Sequence, residues 1–222
     1  MKHRLQRGVA YIEFALSLLV LSPLLLGVVG LGINMHRQLQ TVQLARDGGH
    51  MFARNVDFTL LGNQQVLSAV AGSLGLTATA PSITGTAGTG SAVVILSTVR
   101  YVDVSACTLA GKVNAQGVPT GCTNYQQWVF SERLVIGNST LKTSNLGNPA
   151  AAIVSANGTI TILNQVTNTT DVATVTGFNP WSSVTSTGLP SGQIVYVAEA
   201  AAKGFQMPPF SLGTDTYSQI YF

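Results

Sequence analysis

Glu13 is a carboxylate one helical turn inside an otherwise apolar stretch. A charge at the bilayer centre costs about 2.5–3.5 kcal/mol on insertion scales, and less near the interface. Such a residue either does work in the apolar phase by meeting an opposite charge, or snorkels back to the headgroups. Taken alone, Glu13 leaves both readings open. Further along, Cys107 and Cys122 form an even pair at short spacing. In an oxidising compartment such a pair reads as a disulfide; in the cytoplasm it reads as two free thiols. Other chemistry fails for want of parts. His3, His36 and His50 all precede residue 51, which excludes His-based triads and zinc sites from the rest of the chain. No nucleophile elbow or phosphate-binding lysine motif occurs, and Gly85, Gly88 and Gly90 have no dinucleotide-binding unit around them. The chain reads as neither an enzyme nor a cofactor or metal carrier.

What positions Glu13 is an uninterrupted apolar run. Residues 14–33 carry no charge, and at about 1.5 Å per residue they span about 30 Å, the thickness of the hydrocarbon core. Lys2, Arg4 and Arg7 precede the run, while Arg37 and Arg46 follow more sparsely. The positive-inside rule therefore puts the N-terminus in the cytoplasm and the remainder outside, where Cys107 and Cys122 would pair. The run is too long for the core of a cleaved secretory signal, and Ala78, Thr79 and Ala80, the clear small-x-small site, lie far beyond its end. Met35, Leu39, Val42 and Ala45 continue the helical spacing until Gly48 and Gly49, where a stop is expected. Pro23, Gly27 and Gly30 fall inside the helix. They are either the small residues that membrane helices tolerate and pack with, or places where the helix bends beside its neighbours.

The consecutive residues Arg7, Gly8, Val9, Ala10, Tyr11, Ile12, Glu13 and Phe14 place a basic tail, a glycine, four residues, then Glu-Phe ahead of the apolar helix. This resembles the class III signal peptide of type IV pilins and pseudopilins. With Leu21, Ser22, Pro23 and the following leucines, and with a late strand over residues 193–200, it is similar to the TadE-like branch of the Tad (tight adherence) pilus systems. Tyr11 and the alanines at 200–202 depart from the commoner pattern. The resemblance implies a prepilin peptidase that cuts between Gly8 and Val9 and removes the basic leader. It also implies that Glu13, followed by Phe14, guides assembly by pairing with the freed amine of a neighbour's Val9. An α-amino group is mostly protonated at neutral pH. Implied partners are that peptidase, other pilin-like subunits, an inner-membrane assembly platform and membrane lipid. The implied location is the bacterial inner membrane, with the outer domain exported and, after assembly, carried on an extracellular pilus.

Composition supports an exported domain. Charged residues are 9% of the chain, against about 25% in ordinary soluble domains. Residues 60–222 hold five basic residues (Arg100, Lys112, Arg133, Lys142, Lys203) and five acidic ones (Asp103, Glu132, Asp171, Glu199, Asp215). That surface does not suit nucleic acid, which needs clustered cations; its Ser, Thr and Asn suit adhesive contact. A helix is expected over residues 64–74 and a loop over 73–91. Strands are expected over 92–104, 127–136, 159–166, 172–175 and 193–198, with turns at Asn157 and Gly158 and at residues 190–192. The sheet is expected to be mainly antiparallel, because long intervening helical patterns are absent. The expected organisation is α+β: a leader at 1–8, a transmembrane and assembly helix at 9–50, a connector at 51–91, and a β-rich exported domain at 92–222. The function read from this is a structural minor pilin or pseudopilin. The alternative is an unprocessed single-pass envelope protein whose outer domain binds a ligand or partner.

Overall fold

The computed structural model describes residues 2–173, 193–206 and 215–222, with side chains from residue 11 onward. A single helix, α1 (Lys2–Ala53), carries the apolar run outward and becomes one layer of a folded head. The connector forms α2 (Leu61–Ala71) and a 3-10 turn at Gly72–Leu74. Strand β1 (Ala92–Tyr101) follows, then α3 (Val104–Leu109), β2 (Trp128–Gly137), α4 (Ile162–Thr167), β3 (Ile194–Ala202) and β4 (Thr216–Tyr221). Among the described residues the strands form one antiparallel sheet in the order β2-β1-β3-β4. The expected α+β architecture is therefore present.

Alternation along the strands gives each sheet face its own cover. Val94, Leu96, Leu134, Ile136, Ala198 and Ala200 face the helices and share a core with Leu44, Phe52, Leu67 and Leu74. Val93, Ile95, Val99, Phe130 and Val197 face the opposite way, beneath Leu141, Leu146 and Ile160 from the long β2–β3 connection. Because both faces are covered, Ala92 to Val99 in β1 are buried without interruption.

Three local expectations change. The helix does not stop at Gly48 and Gly49 but runs to Ala53. Both glycines are buried against the sheet, so their lack of a side chain serves close packing rather than termination. A Cβ on Gly48 would sit 3.3 Å from Leu67 Cδ1 and 3.6 Å from Val94 Cγ1. Residues 159–166, rich in β-branched side chains, do not form a strand. Thr159 and Ile160 make only isolated bridges, to Glu132 and Val154. The Thr161 hydroxyl then caps α4 by accepting from Asn164 N, and Gln165 Nε2 donates to Ile160 O at 2.6 Å. Local capping overrides β propensity there. The helix expected at 64–74 begins earlier and gives way to the 3-10 turn after Ala71. Of residues 172–175, Val172 makes an isolated bridge to Val129; 174 and 175, like the turn at 190–192, lie outside the described residues. Helix α3 and strand β4 were not anticipated.

Candidate assembly helix and the head it carries

Gly8 and Val9 lie within α1, four and more residues before Glu13, on one uninterrupted helical backbone. Glu13 and Phe14 are exposed, and so are the apolar residues after them: Leu19 is 70% and Val28 69% exposed. The residues from Tyr11 to Ala53 include an 18-residue window of mean hydropathy 2.4, long and apolar enough to cross a membrane. The helix passes through Pro23 without a break, and Gly27 has nothing within 4 Å of where a side chain would begin. In an aqueous protein such exposure would be ruinous. It fits a membrane-anchored chain, in which lipid or other helices surround this segment.

Polar side chains lock the head to this rod just beyond the span. Asn34 Oδ1 accepts from Phe205 N at 2.8 Å, and Arg37 Nη1 donates to Lys203 O at 2.7 Å. The Thr41 and Thr216 hydroxyls lie 2.7 Å apart, both buried. His50, at the far end, packs its ring on Phe222 with centroids 4.7 Å apart, so a histidine does belong to the head. Beside α1, the buried Gln64 amide accepts from Thr79 N and Ala80 N at 2.7 and 2.8 Å and donates to Phe58 O. That one side chain ties the turn-rich connector to α2.

Cys107 and Cys122 are joined by a disulfide, with their Cα atoms 5.8 Å apart. Asp103 starts α3 by accepting from Ala106 N at 2.8 Å, which delivers Cys107 into a small buried cluster with Val102, Val129 and Val166. The bond closes the loop between β1 and β2, the pairing expected from the even count and short spacing of the two cysteines.

The head holds a buried polar cluster that the sequence reading missed. Glu199 is 1% exposed in the middle of β3. Its carboxylate accepts from Ser144 Oγ, from Asn145 N at 3.0 Å and from Tyr217 OH at 2.6 Å. Arg133 Nη1 lies 4.0 Å from Glu199 Oε2 and donates to Ser97 Oγ at 2.7 Å, while Nη2 donates to Asn148 Oδ1. Burial lowers the guanidinium to about 10, so it stays charged at neutral pH. Burial, then the bond to Glu199, pushes the Tyr217 phenol up. The carboxylate is occupied by donors, and this cluster presents no activated nucleophile. It clamps residues 144–148 onto the sheet. Its signal was a lone acid amid Val195, Val197, Ala198 and Ala200.

Asp171 is different: fully buried, with neither carboxylate oxygen hydrogen-bonded among the described residues, and its pKa is pushed up by burial to about 8. A cleft of about 240 Å³ at the end of α1 is lined by the polar residues Asn55, Asp57, Thr59, Glu132, Asn157 and Thr159 and by the apolar Phe52, Val56, Phe58 and Leu134. Among the described residues, no group of three or more His, Cys, Asp or Glu is placed to hold a metal.

Residues 8–50 match the family model described as TadE-like protein. The match covers most of α1 and none of the sheet, and it supports a TadE-like, pilin-like protein associated with a Tad pilus, a structural and non-enzymatic family. No curated protein and no solved structure matches the chain.

Proposed function

We propose that this chain, TadE-like over residues 8–50, is a minor pilin or pseudopilin of a Tad-type pilus or secretion system, cut after Gly8 and assembled through α1. The observation that carries this reading is the union of one exposed apolar helix, an acid near its start, and a head fastened to its far half. A prepilin peptidase removes residues 1–8 on the cytoplasmic side. The freed Val9 ammonium of one subunit then meets Glu13 of another inside the helix bundle, and the inner-membrane assembly platform moves subunits outward with their heads exposed. The head serves as a surface rather than a catalyst.

N-terminal mass analysis of membrane-extracted protein tests the reading. The expected first residue is Val9, and Gly8→Leu, which crowds the scissile bond, is expected to keep Met1. Wild-type protein that retains Met1 in cells with an active peptidase would overturn it. The second reading, an unprocessed envelope protein whose head binds a ligand, is favoured by the polar cleft at the end of α1. It requires that Met1 be retained.

A further inference from the structure

The base of the head lies level with the end of the apolar run, and α1 supplies the ruler. Asn34 follows Ile33, the last residue of that run. Its side-chain amide holds Phe205, accepting from Phe205 N at 2.8 Å and donating to Phe205 O at 3.4 Å. Arg37, which donates to Lys203 O, stands about 6 Å beyond Ile33 along the helix. The headgroup layer on each side of a hydrocarbon core is itself about 5–7 Å deep. In a membrane-spanning α1, the chain that leaves β3 at Lys203 therefore runs at headgroup depth. Register brings a second charge to the same level. Ala202 pairs with Thr216, so Lys203 and Asp215 flank the membrane-side ends of β3 and β4.

Lys203, Gly204, Gln206 and Asp215 line an open cleft of about 380 Å³ there, within the range of about 300–1,000 Å³ of small-molecule sites. Lys203 and Asp215 are exposed, and Arg37 lies alongside through its bond to Lys203 O. Among the described residues none of these three charges makes an ion pair, because the one pair is Arg133–Glu199. Residues 207–214, between Gln206 and Asp215, include no charged residue that could supply a counter-ion. Charges held beside hydrocarbon call for partners of opposite sign. Two cations and one anion around one cleft suit a headgroup that carries both signs. Its phosphodiester accepts from Lys203 and Arg37, and its primary ammonium donates to the Asp215 carboxylate, which Gly204 N steadies by donating to Oδ1 at 3.2 Å. A glycerol headgroup brings the phosphate alone and leaves Asp215 facing an anion. The methylated nitrogen of a choline headgroup has no N–H to donate.

We propose that this basal cleft is a phospholipid headgroup site, with Arg37 and Lys203 on the phosphate and Asp215 on the ammonium of phosphatidylethanolamine. The proposal rests on the membrane-anchored part of the functional reading and not on cleavage at Gly8.

The test uses the full-length protein in nanodiscs that hold equal parts of phosphatidylethanolamine, phosphatidylglycerol and phosphatidylcholine. Native mass spectrometry then counts the lipids retained on the released protein. Wild type is expected to retain phosphatidylethanolamine over either other lipid by roughly fivefold, the scale of an exposed ion pair. Lys203→Gln should lower retained phosphatidylethanolamine and phosphatidylglycerol alike by roughly fivefold, the scale of one cation at a membrane surface. Asp215→Asn keeps an acceptor for Gly204 N. It should abolish the preference for phosphatidylethanolamine over phosphatidylglycerol and leave retained phosphatidylglycerol undiminished. Lys112→Gln, beyond α3 at the opposite end of the head, should change neither. Equal retention of the three lipids by wild type, no loss in Lys203→Gln, or an unchanged preference in Asp215→Asn would overturn the site. Protein masses from the same spectra keep the ideas apart. Selective lipid on a chain that retains Met1 sinks processing alone, and a Val9 N-terminus without lipid preference sinks the headgroup site alone.

Discussion

Gly49 of α1 lies against the ring of Phe222, the aromatic residue that follows β4. A Cβ at Gly49 would meet Phe222 Cε2, come within 2.8 Å of Phe222 Cζ and 2.9 Å of Ala198 Cβ. Phe222 is itself held by two backbone bonds to Tyr196, its N donating at 2.9 Å and its O accepting at 3.1 Å. The helix therefore reaches the sheet most closely through a residue that has nothing to intrude.

The two adjacent glycines should separate cleanly. Gly49→Ala is expected to destabilise the head by about 1–3 kcal/mol, the usual cost of overpacking. Gly48→Ala is tight only against the end of Leu67 at 3.3 Å, with Val94 and Leu96 at ordinary contact distance, and gains up to about 1 kcal/mol of helix propensity. Thermal unfolding of the detergent-solubilised variants checks this; a lower Tm for Gly48→Ala than for Gly49→Ala would refute the packing account.

Removing Glu199 leaves Arg133 buried without its counter-charge and frees Ser144, Asn145 and Tyr217. Glu199→Ala is expected to cost about 3–5 kcal/mol, the range for breaking a buried pair. Glu199→Gln should cost less, because it retains a carbonyl acceptor. Limited proteolysis should cut first within residues 138–173 of the alanine variant, and an unchanged cleavage pattern would remove the clamp from the account.

Asp171 predicts a pH dependence of definite sign. Its folded pKa of about 8 lies above its ordinary 3.8. The folded state thus holds a proton that the unfolded state has lost. Stability from this group is greatest below about pH 4, falls as pH rises toward about 8, and is flat above. Denaturant titrations of Asp171→Asn should lack that decline and show the variant more stable than wild type at pH 8. A parallel decline in the variant would assign the effect elsewhere.

The Cys107–Cys122 bond closes a connection with a sequence separation of 15. In the chain-entropy description a loop of that size contributes about 3 kcal/mol. Either cysteine changed to serine should lower the denaturation midpoint accordingly. Two alkylatable thiols in non-reduced protein would show that the bond does not form in the cell.

Glu13→Ala is expected to insert and be cleaved as well as wild type, or insert better, because a costly polar group is gone. Its assembly should fail, since the neighbour's Val9 ammonium would sit in an apolar bundle without a partner. Glu13→Asp should be intermediate, with the charge kept and the reach shortened. The measurement is recovery of cleaved protein with purified filaments, and wild-type recovery of the alanine variant would defeat the pairing mechanism.

What the sequence determined by itself is local. A helix able to span a membrane needs only a contiguous apolar run, and the resemblance to a pilin signal only a glycine and an acid at fixed spacing, so residues 7–33 carry both without a fold. The runs that form β1, β2 and β3 were legible too, from β-branched residues between turn residues, and so was a mainly antiparallel sheet, from the lack of long helical patterns between them; the order β2-β1-β3-β4 was not. Only the tertiary structure decided what depends on partners distant in sequence. Gly48 and Gly49 look like a helix stop until the sheet is seen pressed against them. Residues 159–166 look like a strand until Thr161 caps α4 and Ile160 turns into the core. Glu199 looks misplaced in β3 until Ser144, Asn145, Tyr217 and Arg133 surround it. A buried charge or a missing side chain is explained by its neighbours, and those neighbours are brought together only by folding.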